Sequence, residues 1–182
     1  MSRLSAAAVV EGQAEMAMNP LELRRVLGHF ATGVTVVTSR LGSQTRGITV
    51  NSFTSVSLVP PIVLICIDHH ARSYEFLPRA GVFAINILGE RQECISEYFA
   101  RRLAPNPDDE LAEIPHHDGI THCPLIDGAI AYLECRIIDK RDVGDHGVFF
   151  AEVISATTTD NGPPLLFFRG RYPRLSRPEV RA

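Results

Sequence analysis

Alternating apolar and polar residues are clearest between positions 48 and 58. The even-numbered positions carry the apolar residues Ile48, Val50, Val56 and Leu58. The odd-numbered positions carry the short polar residues Thr49, Asn51, Ser55 and Ser57. Successive side chains of an extended chain point to opposite faces. The pattern therefore predicts strand structure with one apolar face and one polar face.

The polar face of this stretch carries no Lys, Glu or Arg, the long charged residues typical of a solvent-facing strand. Two interpretations remain open. The stretch is either an ordinary edge strand rich in Thr and Ser, or a wall that a flat ligand approaches closely, with hydroxyls and main-chain amides meeting its heteroatoms.

A double proline, Pro60 and Pro61, follows the alternating stretch and predicts a turn or the start of a strand. The six apolar residues 62–67 then predict a strand that is covered on both faces. Asp68, His69 and His70 end this strand.

A helix is predicted at the start of the folded region. Asn19 is a suitable N-cap, Pro20 suits the first helical position, Glu22 completes a capping box and Gly33 is a suitable stop. Its apolar residues share one face, which we expect to pack on a sheet: Leu23, Val26, Leu27 and Phe30.

Further strands and helices follow from similar patterns. Residues 34–38 and 45–50 predict an antiparallel hairpin. Ser73 is predicted to cap a short helix that ends at Pro78, and residues 91–102 are predicted to form a second substantial helix. Residues 104–119 are predicted to form a loop. Strands are also predicted at 83–88, 129–139, 148–156 and 165–168. Asn86 lies within one of them and must find a partner if buried, either in the protein or in a ligand. The set predicts a mainly β fold, a closed or split antiparallel barrel.

Composition sets limits on the class of protein. A chain of 182 residues with 45% apolar and 21% charged residues is typical of one soluble domain. The net charge of -3, without a block of like charges, argues against a nucleic-acid partner. We expect a disordered leader at 1–18, a folded domain at 19–175 and a tail at 176–182. With neither a secretion signal nor an apolar span in the sequence, a cytoplasmic protein without membrane contact is predicted.

Cysteine and histidine usage predicts neither disulfides nor a metal. The four cysteines, Cys66, Cys94, Cys123 and Cys135, form no CxxC pair and are interpreted as free buried thiols. A cluster of four residues matches no zinc spacing and is interpreted as part of a surface loop: His116, His117, His122 and Cys123.

Common catalytic motifs are absent from the sequence, which contains no GxGxxG, no GxxxxGK[ST] and no GxSxG. Asp145 and His146 adjoin in a Gly-Asp-His-Gly turn. Because neighbours in an extended chain point apart, no catalytic dyad is expected there, and His146 taken alone is an ordinary turn histidine.

In combination, several segments closely resemble the short-chain flavin reductases, the reductase components of two-component flavin-dependent monooxygenases. The resemblance runs in order from Leu23 to Leu175, with Ala151 where the family usually has Gly. The segments that carry it are 30–38, 47–58, Pro60–Pro61, 83–88, 144–146 and 168–172.

The resemblance implies a homodimer of FMN-binding split β-barrels with Greek-key-like strands and two or three flanking helices. It places the flavin ring and ribityl chain along Ile48, Thr49, Val50, Asn51 and Ser52, with Ser55, Ser57, Cys66 and Asn86 nearby. It places the flavin phosphate near His69, His70, Arg72 and Ser73, where the guanidinium and the start of a helix suit an anion. It places the nicotinamide near His146, the expected catalytic residue, and near Tyr172.

The activity that the resemblance implies is reduction of FMN or FAD by NADH or NADPH, after which reduced flavin diffuses to a partner monooxygenase. Two alternatives remain open. One is an electron carrier or sensor that binds FMN tightly without nicotinamide turnover. The other is a barrel like that of pyridoxamine-phosphate oxidase, which should carry more Arg and Lys around Arg72.

Overall fold

The structure is a computed structural model that describes residues 18–100, 108–159 and 162–175. The expected tail at 176–182, and all of the expected leader except Met18, lie outside the described residues. The described part is dominated by antiparallel strands, with helices flanking them.

Three helices and eleven strands occur in the described residues. The helices are α1 Pro20–Leu27, α2 Arg72–Ala80 and α3 Glu93–Ala100. The strands are β1 Thr32–Gly33, β2 Thr35–Leu41, β3 Gln44–Val50, β4 Thr54–Leu58, β5 Pro61–Asp68, β6 Val82–Ile87, β7 His116–Asp118, β8 Pro124–Ile126, β9 Ala131–Val143, β10 His146–Thr158 and β11 Leu166–Phe167.

Seven strands form the main sheet in the order β3-β2-β6-β9-β10-β5-β4, and every neighbouring pair is antiparallel. The two edge strands, β3 and β4, are consecutive in sequence and are joined by residues 51–53 alone. That link spans at most about 14 Å, whereas a flat sheet of seven strands is about 29 Å wide. The sheet must therefore curl until its edges meet, and the split-barrel prediction is confirmed.

The barrel interior holds the main core. It includes Phe83, Phe149, Ile65 and Ile85, all fully buried, and Ala151 lies among them with no exposed surface. Burial raises the pKa of the Cys135 thiol in this core to about 12, so this cysteine stays protonated and unreactive at neutral pH. A second core lies around α3 and includes Phe99 and Leu111.

Helix α1 begins as predicted but does not pack as predicted. The Asn19 side chain accepts a hydrogen bond of 2.9 Å from the Leu21 amide. The helix ends at Leu27 with Gly28 as its C-cap, not at Gly33. None of the residues in Pro20–Leu27 is buried, and Val26 is 58% exposed. Apolar residues at helical spacing define a face, but they do not specify what covers it.

The alternating stretch is two strands rather than one, because the link at 51–53 interrupts it. The predicted apolar face of β4 is exposed: Val56 and Leu58 lie on an edge strand, beside a bulge between Ser55 and Ser57. Strand β5 is also less covered than predicted. Its buried residues alternate with half-buried ones, so one face is fully covered and the other only partly.

Several local predictions were wrong. Ser73 lies inside α2 rather than capping it, Ala71 is the N-cap, and the helix continues past Pro78 to Ala80. The predicted loop at 104–119 contains β7, which pairs with β8, while 104–107 lies outside the described residues. Cys94 is exposed rather than buried.

Asn86 lies fully buried at the centre of the sheet. Its Nδ2 donates to Val36 O and to Thr38 Oγ1, both at 3.0 Å, and its Oδ1 accepts from Ile126 N at 2.7 Å. This side chain therefore connects β6 to β2 and β8. It has no exposed surface and its polar atoms are already bonded, so the structure gives Asn86 a role in the fold instead of a place in a flavin site.

We predict that Asn86→Ala lowers the free energy of unfolding by about 2–4 kcal/mol, because it leaves a cavity and a buried amide without a partner. Urea denaturation would measure this. Asn19→Ala is the matched control at the exposed cap of α1, where the expected loss is about 1 kcal/mol. Equal losses in the two variants would contradict the structural role of Asn86.

Candidate active site

Strand β3 presents main-chain amides to the open edge of the barrel. The Gly47 amide donates to Glu110 Oε2 at 3.0 Å, and the Thr45 amide donates to Asp108 O at 3.2 Å, so both point away from β2. Amide direction alternates along a strand of an antiparallel pair. The Thr49 amide therefore faces the same open side, as expected for a wall that a ligand can approach.

A cavity of about 240 Å³, here called the β3 cavity, lies beside this edge. It brings together four of the predicted flavin residues, Ile48, Thr49, Arg72 and Ser73. The remaining lining residues are Gly47, Asp68, Ala71, Tyr98, Phe99, Ala100 and Glu110. One end of the cavity is the start of α2, which no side chain caps, so its first amides face an anion-binding position.

A neighbouring cavity of about 160 Å³, here called the Tyr172 cavity, lies on the other side of Thr49. It includes Asn51 and Tyr172, two further predicted residues, and shares Thr49 and Ala100 with the β3 cavity. The Thr49 hydroxyl donates to Ser96 O at 2.6 Å, and Ser96 Oγ lies 2.9 Å from the Tyr172 hydroxyl. Helix α3 thereby holds Thr49 and Tyr172 in fixed positions.

A larger cleft of about 710 Å³, here called the arginine cleft, shares Asn51 and Phe167 with the Tyr172 cavity. Three arginines line it, Arg24 and Arg25 from the last turn of α1 and Arg169 from the segment after β11. Its volume lies in the range of ordinary ligand sites. Sequence reasoning did not select these arginines, although Arg169 stands in a segment that carried the family resemblance.

The link between the two edge strands is held by a side chain. Ser52 Oγ accepts from Cys66 N and donates to Cys66 O, both at 3.0 Å. Thr54 pairs with Leu64, so the register places Ser52 opposite Cys66, where its hydroxyl replaces a main-chain partner. Val50 is 5% exposed and belongs to the barrel core.

Other predicted residues lie around the site without lining these three cavities. Ser55 and Ser57 are on β4, at the opposite lip of the split. Burial raises the pKa of the Cys66 thiol, and a hydrogen bond with Ser52 opposes that shift. His70 is exposed, with Nδ1 3.0 Å from Asp68 Oδ1. The His69 ring packs on Tyr74, with ring centroids 4.6 Å apart.

Arg72 is already paired with a carboxylate. Its Nη2 lies 3.0 Å from Glu110 Oε1, and Arg46 Nε lies 3.7 Å from the same oxygen. The Glu110 side chain is 4% exposed, whereas that of Arg72 is 39% exposed. Two guanidinium groups thus approach one buried carboxylate beside the cavity. Glu110 was missed because it stands in a segment without periodicity, and no local signal marks it.

The donor set fits a flavin. Arg72 and the first amides of α2 can bind a phosphate at one end of the site. The outward amide of Thr49 can bind the polar edge of a flat ring. Short side chains beside it leave space for the ring to approach.

His146 lies at the tip of the β9–β10 hairpin. Gly144 has φ 62 and Asp145 does not have a positive φ, which is the pattern of a type II′ turn. His146 Nδ1 is 2.7 Å from Asp145 Oδ1, so the prediction that these side chains point apart was wrong. Asp145 belongs to the turn rather than to the extended strand. This hydrogen bond from the imidazole lowers the pKa of Asp145.

The structure does not bring His146 and Tyr172 into one of the three cavities. His146 instead pairs across the ladder with Asp68, a lining residue of the β3 cavity. It therefore lies one strand away from that cavity, with a side chain that is 43% exposed.

The predicted surface histidines have separate partners. His116 Nδ1 is 2.6 Å from Ile114 O, and His117 Nδ1 is 2.8 Å from Asp127 Oδ1. Within the described residues, no group of three or more His, Cys, Asp or Glu could hold a metal ion. In that same part of the chain, no helix has both the length and the apolar character needed to cross a membrane.

Comparison with known proteins defines the class. The family model described as "Flavin reductase like domain" matches residues 27–176. The chain therefore belongs to the flavin reductase-like family, and the resemblance found in the sequence is confirmed.

Particular relatives are similar over most of their length. An NADH-dependent FAD reductase of Streptomyces globisporus is 43% identical over 157 residues, which cover 86% of each chain. The reductase component of a 4-nitrophenol 4-monooxygenase/4-nitrocatechol 2-monooxygenase of Rhodococcus opacus is 37% identical, covering 85% of this chain and 80% of its own. The structure of a Streptomyces globisporus C-1027 NADH:FAD oxidoreductase, in complex with NAD and FAD fragments, matches with a TM-score of 0.80 and 42% identity. That match covers 88% of this chain and 94% of the other.

Proposed function

We propose that this protein is an NAD(P)H:flavin oxidoreductase that reduces FMN or FAD and releases the reduced flavin to a flavin-dependent monooxygenase. The observation that carries the proposal is the outward edge of β3 at Thr49, with an anion-binding helix start on one side and the Tyr172 cavity on the other. The names of the relatives favour NADH as the reductant and support a monooxygenase partner. They favour a reductase over an electron carrier or sensor.

In this proposal the flavin ring lies along Ile48, Thr49 and Asn51, and its phosphate lies against Arg72 and Ser73. Val50 and Ser52 support the wall from behind. The outward amide of Thr49 would stabilise negative charge that develops on the ring, because the strand fixes this donor in place. Ser55, Ser57, Cys66, His69 and His70 belong to the surroundings of the site.

The nicotinamide would lie between the flavin ring and the residues His146 and Tyr172. When bound, the flavin accepts the hydride that the dihydronicotinamide donates. Because a hydride passes directly between two stacked rings, this step needs no acid–base pair, and the chain's own residues would align the rings and exclude water. The arginine cleft supplies positive charge for the phosphates of the dinucleotide.

An anaerobic assay tests the function. The purified protein, given NADH or NADPH with either FMN or FAD in excess, should bleach flavin absorbance over many turnovers. Bleaching limited to flavin that remains bound through dialysis would support the electron carrier instead. No turnover with any of the four pairings would contradict the proposal.

We further propose that two copies of the chain pair across the exposed lip of the barrel. Leu58 is 84% and Val59 92% exposed beside the split, and the edge strand carries no charged residue to block association.

Light scattering should give twice the chain mass. Leu58→Lys should shift the mass towards one chain, whereas Ile120→Lys, at another exposed apolar residue, should not. A single-chain mass for the unaltered protein would exclude the dimer.

We predict that His146→Ala raises KM for NADH about tenfold while leaving the flavin Kd unchanged, because it removes the proposed nicotinamide contact and, besides that, only the exposed contact with Asp145. Steady-state kinetics and a flavin fluorescence titration measure the two quantities. His117→Ala, which removes an exposed histidine bound to Asp127, is the control. Equal losses of NADH and flavin affinity in His146→Ala would show that His146 supports the fold instead.

A further inference from the structure

We propose that Tyr74 is a positioning residue for His146: its ring and hydroxyl lock the hairpin tip in place so that the imidazole faces the nicotinamide. This inference rests on the proposed function, and it goes beyond that function by naming the group that fixes His146. Tyr74 is on α2, two residues after Arg72.

The Tyr74 ring lies directly against the main chain next to His146. A Cβ atom on Gly147 would be only 2.7 Å from Tyr74 Cε2, closer than side chains tolerate. Gly147 therefore provides the space that the ring occupies. The ring also packs edge-on against Phe149, with centroids 6.3 Å apart, so the barrel core fixes it from below.

The Tyr74 hydroxyl completes the contact on the other strand of the hairpin. It donates to Asp142 Oδ1 at 2.8 Å, and Asp142 is the residue paired with Gly147 across the β9–β10 ladder. Tyr74 thus spans both strands one rung away from His146. This hydrogen bond lowers the pKa of Asp142, which keeps the carboxylate ionised as an acceptor.

Lys140 and His69 lie beside the Tyr74 ring and the Asp142 carboxylate. Lys140 Nζ lies 3.6 Å from the centroid of the Tyr74 ring and 3.5 Å from Asp142 Oδ1. His69 Nε2 lies 3.6 Å from the same carboxylate oxygen, and the His69 amide donates to Asp145 O at 3.0 Å. The turn is therefore anchored on its Asp145 side as well.

The decisive comparison is Tyr74→Phe, which keeps the ring and removes only the hydroxyl. We expect KM for NADH to rise about threefold to tenfold, the effect of losing one ordinary hydrogen bond, with the flavin Kd unchanged. Tyr74→Leu, which also removes the ring, should have a larger effect. Tyr132→Phe is the matched control, because its hydroxyl donates to Ile126 O at 2.9 Å within the same barrel.

A double-mutant cycle separates positioning from general weakening. If Tyr74 acts through His146, then Tyr74→Phe should change KM for NADH no further in a His146→Ala background. Additive losses would overturn the proposal. So would a Tyr74→Phe enzyme whose KM for NADH matches that of Tyr132→Phe.

Amide hydrogen exchange gives a readout that needs no activity. In Tyr74→Phe the amides of residues 144–147 should exchange faster, while those at the centre of β9 should not change. Unchanged exchange at residues 144–147 would overturn the proposal that Tyr74 holds the hairpin tip, whatever the kinetics show. If exchange at the turn becomes faster in Tyr74→Phe but His146→Ala leaves KM for NADH unaffected, then Tyr74 does hold the hairpin tip. In that case it is the proposed role of His146 at the nicotinamide that fails.

Discussion

The short link between two opposite edge strands is the constraint on which the rest of the structure depends. Residues 51–53 must bring β3 and β4 together, so the sheet cannot lie flat. The Ser52 hydroxyl completes the ladder beside Cys66 and holds this closure. The two edges approach without pairing, so alternate amides of β3 face outward; those of Thr45 and Gly47 donate to Asp108 and Glu110, and that of Thr49 faces the site. The site at Thr49 is thus a direct consequence of how the barrel closes.

Some of the predictions based on local signals were confirmed. The β2–β3 hairpin, the turn at Pro60 and the Asn19 cap each depend on a few adjacent residues, and each is present. Contacts between distant segments could not be predicted this way. Glu110 reaches Arg72 from 38 positions along the chain, and nothing near either residue in the sequence indicates it.

Two features depend on tertiary structure in the same way. The buried Asn86 amide was compatible with either a ligand or a protein partner, and only the packing of β2 and β8 around it decides for the protein. The contact between Asp145 and His146 was dismissed because both were treated as extended. A positive φ at Gly144 makes the turn tight enough for the two side chains to meet. In both cases the tertiary structure decides what the local sequence does not.

The first turn of α2 connects the two halves of the proposed chemistry. Arg72 and Ser73 line the cavity proposed for the flavin phosphate, while the next residue, Tyr74, packs on the hairpin that carries His146. One helix turn therefore serves both the proposed phosphate site and the contact with the hairpin. Arg72 is held by Glu110 through an ion pair that a phosphate would compete with. The proposed phosphate site and the residue proposed to position His146 therefore lie within three consecutive residues of the chain.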